Sequence, residues 1–386
     1  MAGFVISISK KRGISCIEKC IKDGVYSTKI NVSAKQKTPF FGTLADYCSM
    51  QEGDNIFFFC NRKIYGTGRL VKIGPDVKLN NYPRANSPYL GLVDRQNAML
   101  ENTLVPFDEG PRCCWICTFV PSESFYRNGV DMDEVLEYKP TTFKSLRTFW
   151  KKSFIKIDDE ENESLKEFIL LHGDKRRTFQ FDSHVHELIK KKSNNKNLIS
   201  ASDSVKECSD DSHVKNEMAI ECLIVDQLAR HQKSPLGDWD YVTHQVCASP
   251  FKPIDYMDKI DVFGYRYLSD GKTKVISKFL IIELKKGSAD NDTIAQVSKY
   301  VDWVCRQYAY GDYGMIEAFI IAYDYPGVHL SDKKTENTRN YSIGSHPTKS
   351  LTWDNIRFFK YSASPNFDLK EIDPLEEKPN QLLPIR

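Results

Sequence analysis

Apolar positions fall into two patterned stretches separated by a polar one. Between 190 and 213 the run KKKSNNKNLISASDSVKECSDDSH has few aliphatics and no periodicity, so it reads as a linker. It divides the chain into a first module, 1–189, and a second, 214–386, each large enough to hold its own core. In the first, residues 4–9 read as a strand, and β-rich runs at 55–60 and 64–73 are joined by a short turn at Asn61 to Lys63, which makes a hairpin. A further β-prone run covers 112–120, and Leu165, Phe168 and Ile169 have helical spacing. A curved sheet with a few helices is predicted.

The second module opens with an amphipathic helix over 214–230, followed by a strand at 240–248. Runs at 259–268 and 275–284 form a hairpin across Ser269, Asp270, Gly271 and Lys272. A helix over 292–308 follows, then a continuous apolar run at 316–323 that reads as a buried strand, and a last strand at 356–361. The predicted order is α-β-β-β-α-β, and the fold class of the whole chain is α+β or α/β in two domains.

Composition narrows the class. With 386 residues, 41% apolar and 27% charged, the chain is globular rather than collagenous, coiled-coil or disordered. The apolar run at the start is too short for a signal peptide, and no stretch reaches the ~18 apolar residues of a membrane span. A cytoplasmic location and no membrane partner are the expectation. Eleven cysteines, an odd number without a disulfide-like framework, read as small buried hydrophobes. Cys114 and Cys117 lie three apart in a β-prone run, which turns them to opposite faces without a glycine knuckle, so a zinc site with Cys16 and Cys20 is not expected. His184 and His186 have no partner cluster nearby in sequence and read as structural. Residues 1–100 carry 15 Lys and Arg against 7 Asp and Glu, a local +8, which suits a polyanion such as nucleic acid.

The candidate chemistry sits in the second module. Side chains alternate along a strand, so Glu283 and Lys285 share one face while Ile282 and Leu284 enter the core. Antiparallel pairing through the hairpin places Asp261 opposite a residue within a few positions of Glu283. Two carboxylates and a lysine thereby meet at one end of a sheet. Such a group suits Mg²⁺, which takes a few carboxylate oxygens and keeps waters and substrate phosphate in its other positions. A carboxylate amid Ile and Val is costly unless it binds something. Asp255 and Asp258 are weaker candidates for the role of Asp261.

Asp261 with Glu283-Leu-Lys285 resembles the core of the PD-(D/E)XK nuclease superfamily, and Gln296 to Tyr300 resembles the QxxxY element of its RecB-like branch. The runs IDVFGY and IIELKKGSADNDTIAQVSKYVDWV are especially similar to the catalytic domain of archaeal and actinobacterial mismatch endonucleases, over about 214–325. The proline expected before the aspartate is absent; Ile260 stands there. The resemblance implies a restriction-endonuclease-like core in which Asp261, Glu283 and the Leu284 carbonyl hold Mg²⁺, with Mn²⁺ substituting. Lys285 would position water, Gln296 would support the site, and a first-helix glutamate, Glu217 in preference to Glu221, would assist.

In the first module, Gly53-Asp54 leading into an apolar strand and the return strand Tyr65-Gly66-Thr-Gly68 resemble the PUA-like group that includes EVE and YTH domains, over about 1–160. The glycines permit a bend where a barrel-like sheet curls. The resemblance implies a reader of modified bases, extruded into an aromatic pocket for which Tyr47, Trp115 and Trp150, with Phe40 or Phe41, are candidates. Together the two resemblances imply a modification-dependent restriction endonuclease acting on DNA as a homodimer. A repair endonuclease for mismatched, branched or single-stranded DNA is the alternative, and a non-catalytic nucleic-acid binder is the second.

Overall fold

Asn61 and Arg62 both adopt positive φ, 52° and 60°, closing a two-residue turn between Cys60 and Lys63, which pair across the hairpin. Two left-handed residues match the twist of the flanking strands, so this turn sets the first sheet. The computed structural model describes residues 1–9, 13–31, 37–148, 153–174, 179–210, 213–249, 258–269, 273–326, 337–364 and 366–372. The chain divides into two compact units, Met1–Glu207 and Cys208–Arg386, and is mixed α and β throughout.

In the first unit an eight-stranded sheet runs in the order Val25–Tyr26, Trp115–Pro121, Lys63–Leu70, Asn55–Cys60, Gly3–Ser7, Phe154–Ile157, with two short strands pairing at its side. Gly3–Ser7 is parallel to Asn55–Cys60 and antiparallel to Phe154–Ile157. The sheet curls where Gly66 sits at φ +42°, so close to Phe125 that a Cβ there would lie 2.3 Å from the Phe125 Cα. Helices Gly13–Asp23, Thr38–Cys48 and Leu92–Glu101 went unpredicted, although the first carries Ile14, Ile17 and Ile21 on one helical face.

Of the stretch expected as a linker, residues 190–207 are folded onto this first unit, and this corrects the sequence reading. It includes the helix Ala201–Glu207. Leu198 bridges to Leu79, the Asn197 amide donates to the Asn80 carbonyl at 3.0 Å, and the Ser204 hydroxyl donates to the Asn86 carbonyl at 2.6 Å. Polar residues without periodicity can be ordered by hydrogen bonds to a distant strand, which a local pattern does not reveal.

The second unit follows the predicted order. Helix Glu217–Ala229 precedes strands Tyr241–Cys247, Lys259–Ser269 and Lys274–Ser288, then helix Asn291–Gln307 and strand Ile316–Asp324. Strands Ile356–Ser362 and Asp368–Ile372 complete a six-stranded sheet. Pairing is antiparallel from Tyr241–Cys247 to Lys274–Ser288 and parallel from there to Ile356–Ser362. The first helix departs from expectation. It is buried on nearly every side, including Glu221 and Asp226, rather than amphipathic. A two-stranded hairpin, Arg339–Ile343 with Lys349–Trp353, stands outside the main sheet, its Arg339 paired with Asp302. No helix among the described residues is long and apolar enough to cross a membrane.

Candidate active site

Val262 pairs with Ile282, and the same register puts Asp261 beside Glu283 on neighbouring antiparallel strands. Asp261 is half-buried and Glu283 is 2% exposed. The Leu284 amide N–H donates to Asp261 Oδ2 at 2.8 Å, and Lys285 Nζ donates to Glu283 Oε1 at 2.6 Å. Glu283 Oε2 is buried with no hydrogen-bond partner among the described residues.

Both first-helix glutamates reach this end of the sheet, in different ways. Glu217 Oε2 accepts the Lys286 amide N–H at 2.9 Å, next to Lys285. Glu221, buried, takes His244 Nδ1 at 2.6 Å on one oxygen and Gln245 Nε2 at 2.8 Å on the other. Gln245 Nε2 also lies 3.2 Å from Asp261 Oδ1. Gln296 Nε2 donates to the Tyr300 hydroxyl at 2.5 Å on the following helix.

Electrostatics reflect the crowding. Burial, then the charges of Glu283 and Glu221, push the Asp261 carboxyl well above its usual range, against the Leu284 N–H. Burial also raises Glu283, with Lys285 opposing it. Burial alone would lower Lys285, but Glu283, then Glu217 and Asp261, outweigh it and hold the ammonium charged. Burial and then the field of Glu283 raise the Tyr300 hydroxyl.

This donor set fits a hard divalent cation. An orphaned buried carboxylate oxygen and a second carboxyl that resists ionisation are what a cation would relieve. Asp261 and Glu283 would hold it, with the Leu284 carbonyl as a proposed third ligand. Among the described residues no three His, Cys, Asp or Glu side chains form a ready-made cage. Mg²⁺ bound through two carboxylates with water and substrate oxygens needs none.

Other sequence candidates lie elsewhere. Asp258 is exposed, and Asp255 and Trp150 lie outside the described residues. Tyr47 and Trp115 are both 0% exposed in the first unit. Their rings lie 5.8 Å apart, Phe40 is 4.9 Å from Trp115, and the Tyr47 hydroxyl accepts the Thr28 N–H. Trp115 Nε1 is buried without a partner among the described residues. Sequence reasoning missed His244 and Gln245. Their only signal was the polar run Thr243, His244 and Gln245 inside a strand flanked by Val242 and Val246.

No family model matches this chain, and no curated protein matches it. Among solved structures, it is similar to the crystal structure of a repair endonuclease from Pyrococcus abyssi, at 21% sequence identity and a TM-score of 0.21. The match covers 34% of this chain and 46% of that protein, so the chain spans about half of its length.

Proposed function

We propose that the second unit is a metal-dependent nuclease that hydrolyses DNA phosphodiester bonds. The observation that carries this reading is Asp261 and Glu283 side by side, with Glu283 Oε2 buried and unpartnered and Lys285 bonded to the other oxygen. A Mg²⁺ ion bound there would supply charge stabilisation of the phosphate and activation of water. The chain's own residues do the rest. Asp261 is fixed by the Leu284 N–H, and Lys285 carries a charged ammonium toward the attacked phosphate. Glu217 fixes the backbone at Lys286, next to that lysine.

The finer reading is a modification-dependent restriction endonuclease. The curled sheet of the first unit would select DNA carrying a modified base, and cutting both strands would require a homodimer. The unpartnered Trp115 indole N–H between Phe40 and Tyr47 supports an aromatic cage that opens to take a base.

The test is cleavage of matched DNA pools, unmodified, methylated, hydroxymethylated or glucosylated, with mismatched and forked duplexes beside them, in Mg²⁺, Mn²⁺ or EDTA. Cutting confined to one modified pool supports the full reading. Cutting confined to mismatched or forked DNA replaces restriction with repair. A Glu283→Ala chain that cuts at the wild-type rate overturns the nuclease assignment.

A further inference from the structure

Adjacent residues of an extended strand point to opposite faces, yet His244 and Gln245 both bind the carboxylate of Glu221. The backbone explains this. Gln245 sits at φ +53°, a left-handed conformation that side chains with a Cβ rarely adopt, in the middle of strand Tyr241–Cys247. The break in alternation turns the Gln245 side chain to the Glu221 side. It also falls at a particular register. Ile260 pairs with Val246 and Val262 with His244, so Asp261 faces Gln245 on one flank and Glu283 on the other.

We propose that Gln245 is a positioning residue that sets the Asp261 carboxylate for metal binding, an inference that rests on the nuclease reading above. The Gln245 amide carries two N–H donors. It lies 2.8 Å from Glu221 Oε2 and 3.2 Å from Asp261 Oδ1, and the Leu284 N–H takes Asp261 Oδ2. Both oxygens of Asp261 therefore have a backbone-fixed or strand-fixed donor, and the carboxylate plane is locked while lone pairs remain for a cation. A neutral amide suits the task. A lysine in its place would compete with the cation, whereas glutamine bridges two carboxylates without neutralising either. Backbone strain held in place beside a candidate site is the expected signature of such a device.

The experiment is calorimetric titration of the full chain with Mn²⁺, with melting in EDTA as the companion measurement. Gln245→Gly removes the amide and relieves the left-handed backbone. Gln245→Asn tolerates that backbone but is one methylene too short to span both carboxylates. Both variants are expected to bind Mn²⁺ about tenfold or more weakly than wild type while still melting cooperatively in EDTA. Wild-type Mn²⁺ affinity in either variant overturns the role of Gln245 and leaves the nuclease reading standing. A wild-type chain that binds no Mn²⁺ overturns both.

Discussion

The Asp261 carboxylate accepts the Leu284 amide N–H at 2.8 Å, so a side chain on one strand is held by the backbone of the next, one residue beyond Glu283. That bond makes the position of one carboxylate depend on the strand that carries the other. It also fixes how the pair responds to pH and substitution.

Asp261 resists ionisation because of burial first, then Glu283 and Glu221. The unfolded chain gives up this proton near pH ~4, while the folded chain holds it to higher pH. Stability is therefore lost as pH rises through that interval. In EDTA, Asp261→Asn is expected to melt higher than wild type at pH 8, with the gap closing toward pH 4, and to lose cleavage. Melting curves across that range check it; a lower melting point at pH 8 would refute it.

The two first-helix glutamates differ in what they leave behind. Glu221→Ala strips His244 and Gln245 of their buried acceptor and is expected to cost about 1–3 kcal/mol. Glu217 is half-buried and bonds one backbone N–H, so Glu217→Ala should cost about 1 kcal/mol or less. Urea unfolding of the two variants decides the ranking.

Glu161, fully buried in the first unit, accepts the Ser145 and Leu146 N–H groups on Oε1 and has no partner for Oε2 among the described residues. Burial, then Asp158, pushes its carboxyl up to about 8. As a raised acid it takes stability away as pH climbs from ~4.3 through that value. Glu161→Gln should have a small effect at pH 5 and be stabilising at pH 9 by several kcal/mol, ~1.4 kcal/mol for each unit of the upward shift. Equal effects at both pH values would show that the carboxyl is already ionised at pH 5.

Gly66→Ala adds a Cβ 2.3 Å from the Phe125 Cα, at φ +42°. The clash is with backbone, so no rotamer relieves it, and the loss is expected to reach about 3 kcal/mol. Chemical denaturation of the variant measures it. An unchanged midpoint would mean that the curl of the sheet does not depend on this glycine.

Much was legible along the chain because it follows from periods. The two-residue alternation puts Glu283 and Lys285 on one face of a strand, and the apolar runs predict the order α-β-β-β-α-β, because both depend only on neighbours a few positions apart. The hairpin places Asp261 near Glu283 to within a few positions for the same reason.

Tertiary structure decided the rest, because those contacts join residues far apart in sequence or break the period. The exact register of Asp261 beside Glu283 depends on ladder hydrogen bonds across strands Lys259–Ser269 and Lys274–Ser288. Glu221 meets His244 and Gln245 only because a buried helix lies against that edge and one residue turns left-handed. Residues 190–210 look like a linker by composition, yet Asn197 and Ser204 bond to Asn80 and Asn86, over a hundred residues away. Tyr47, on helix Thr38–Cys48, and Trp115, on strand Trp115–Pro121, are buried against each other because elements far apart in sequence pack together, which a local sequence pattern does not record.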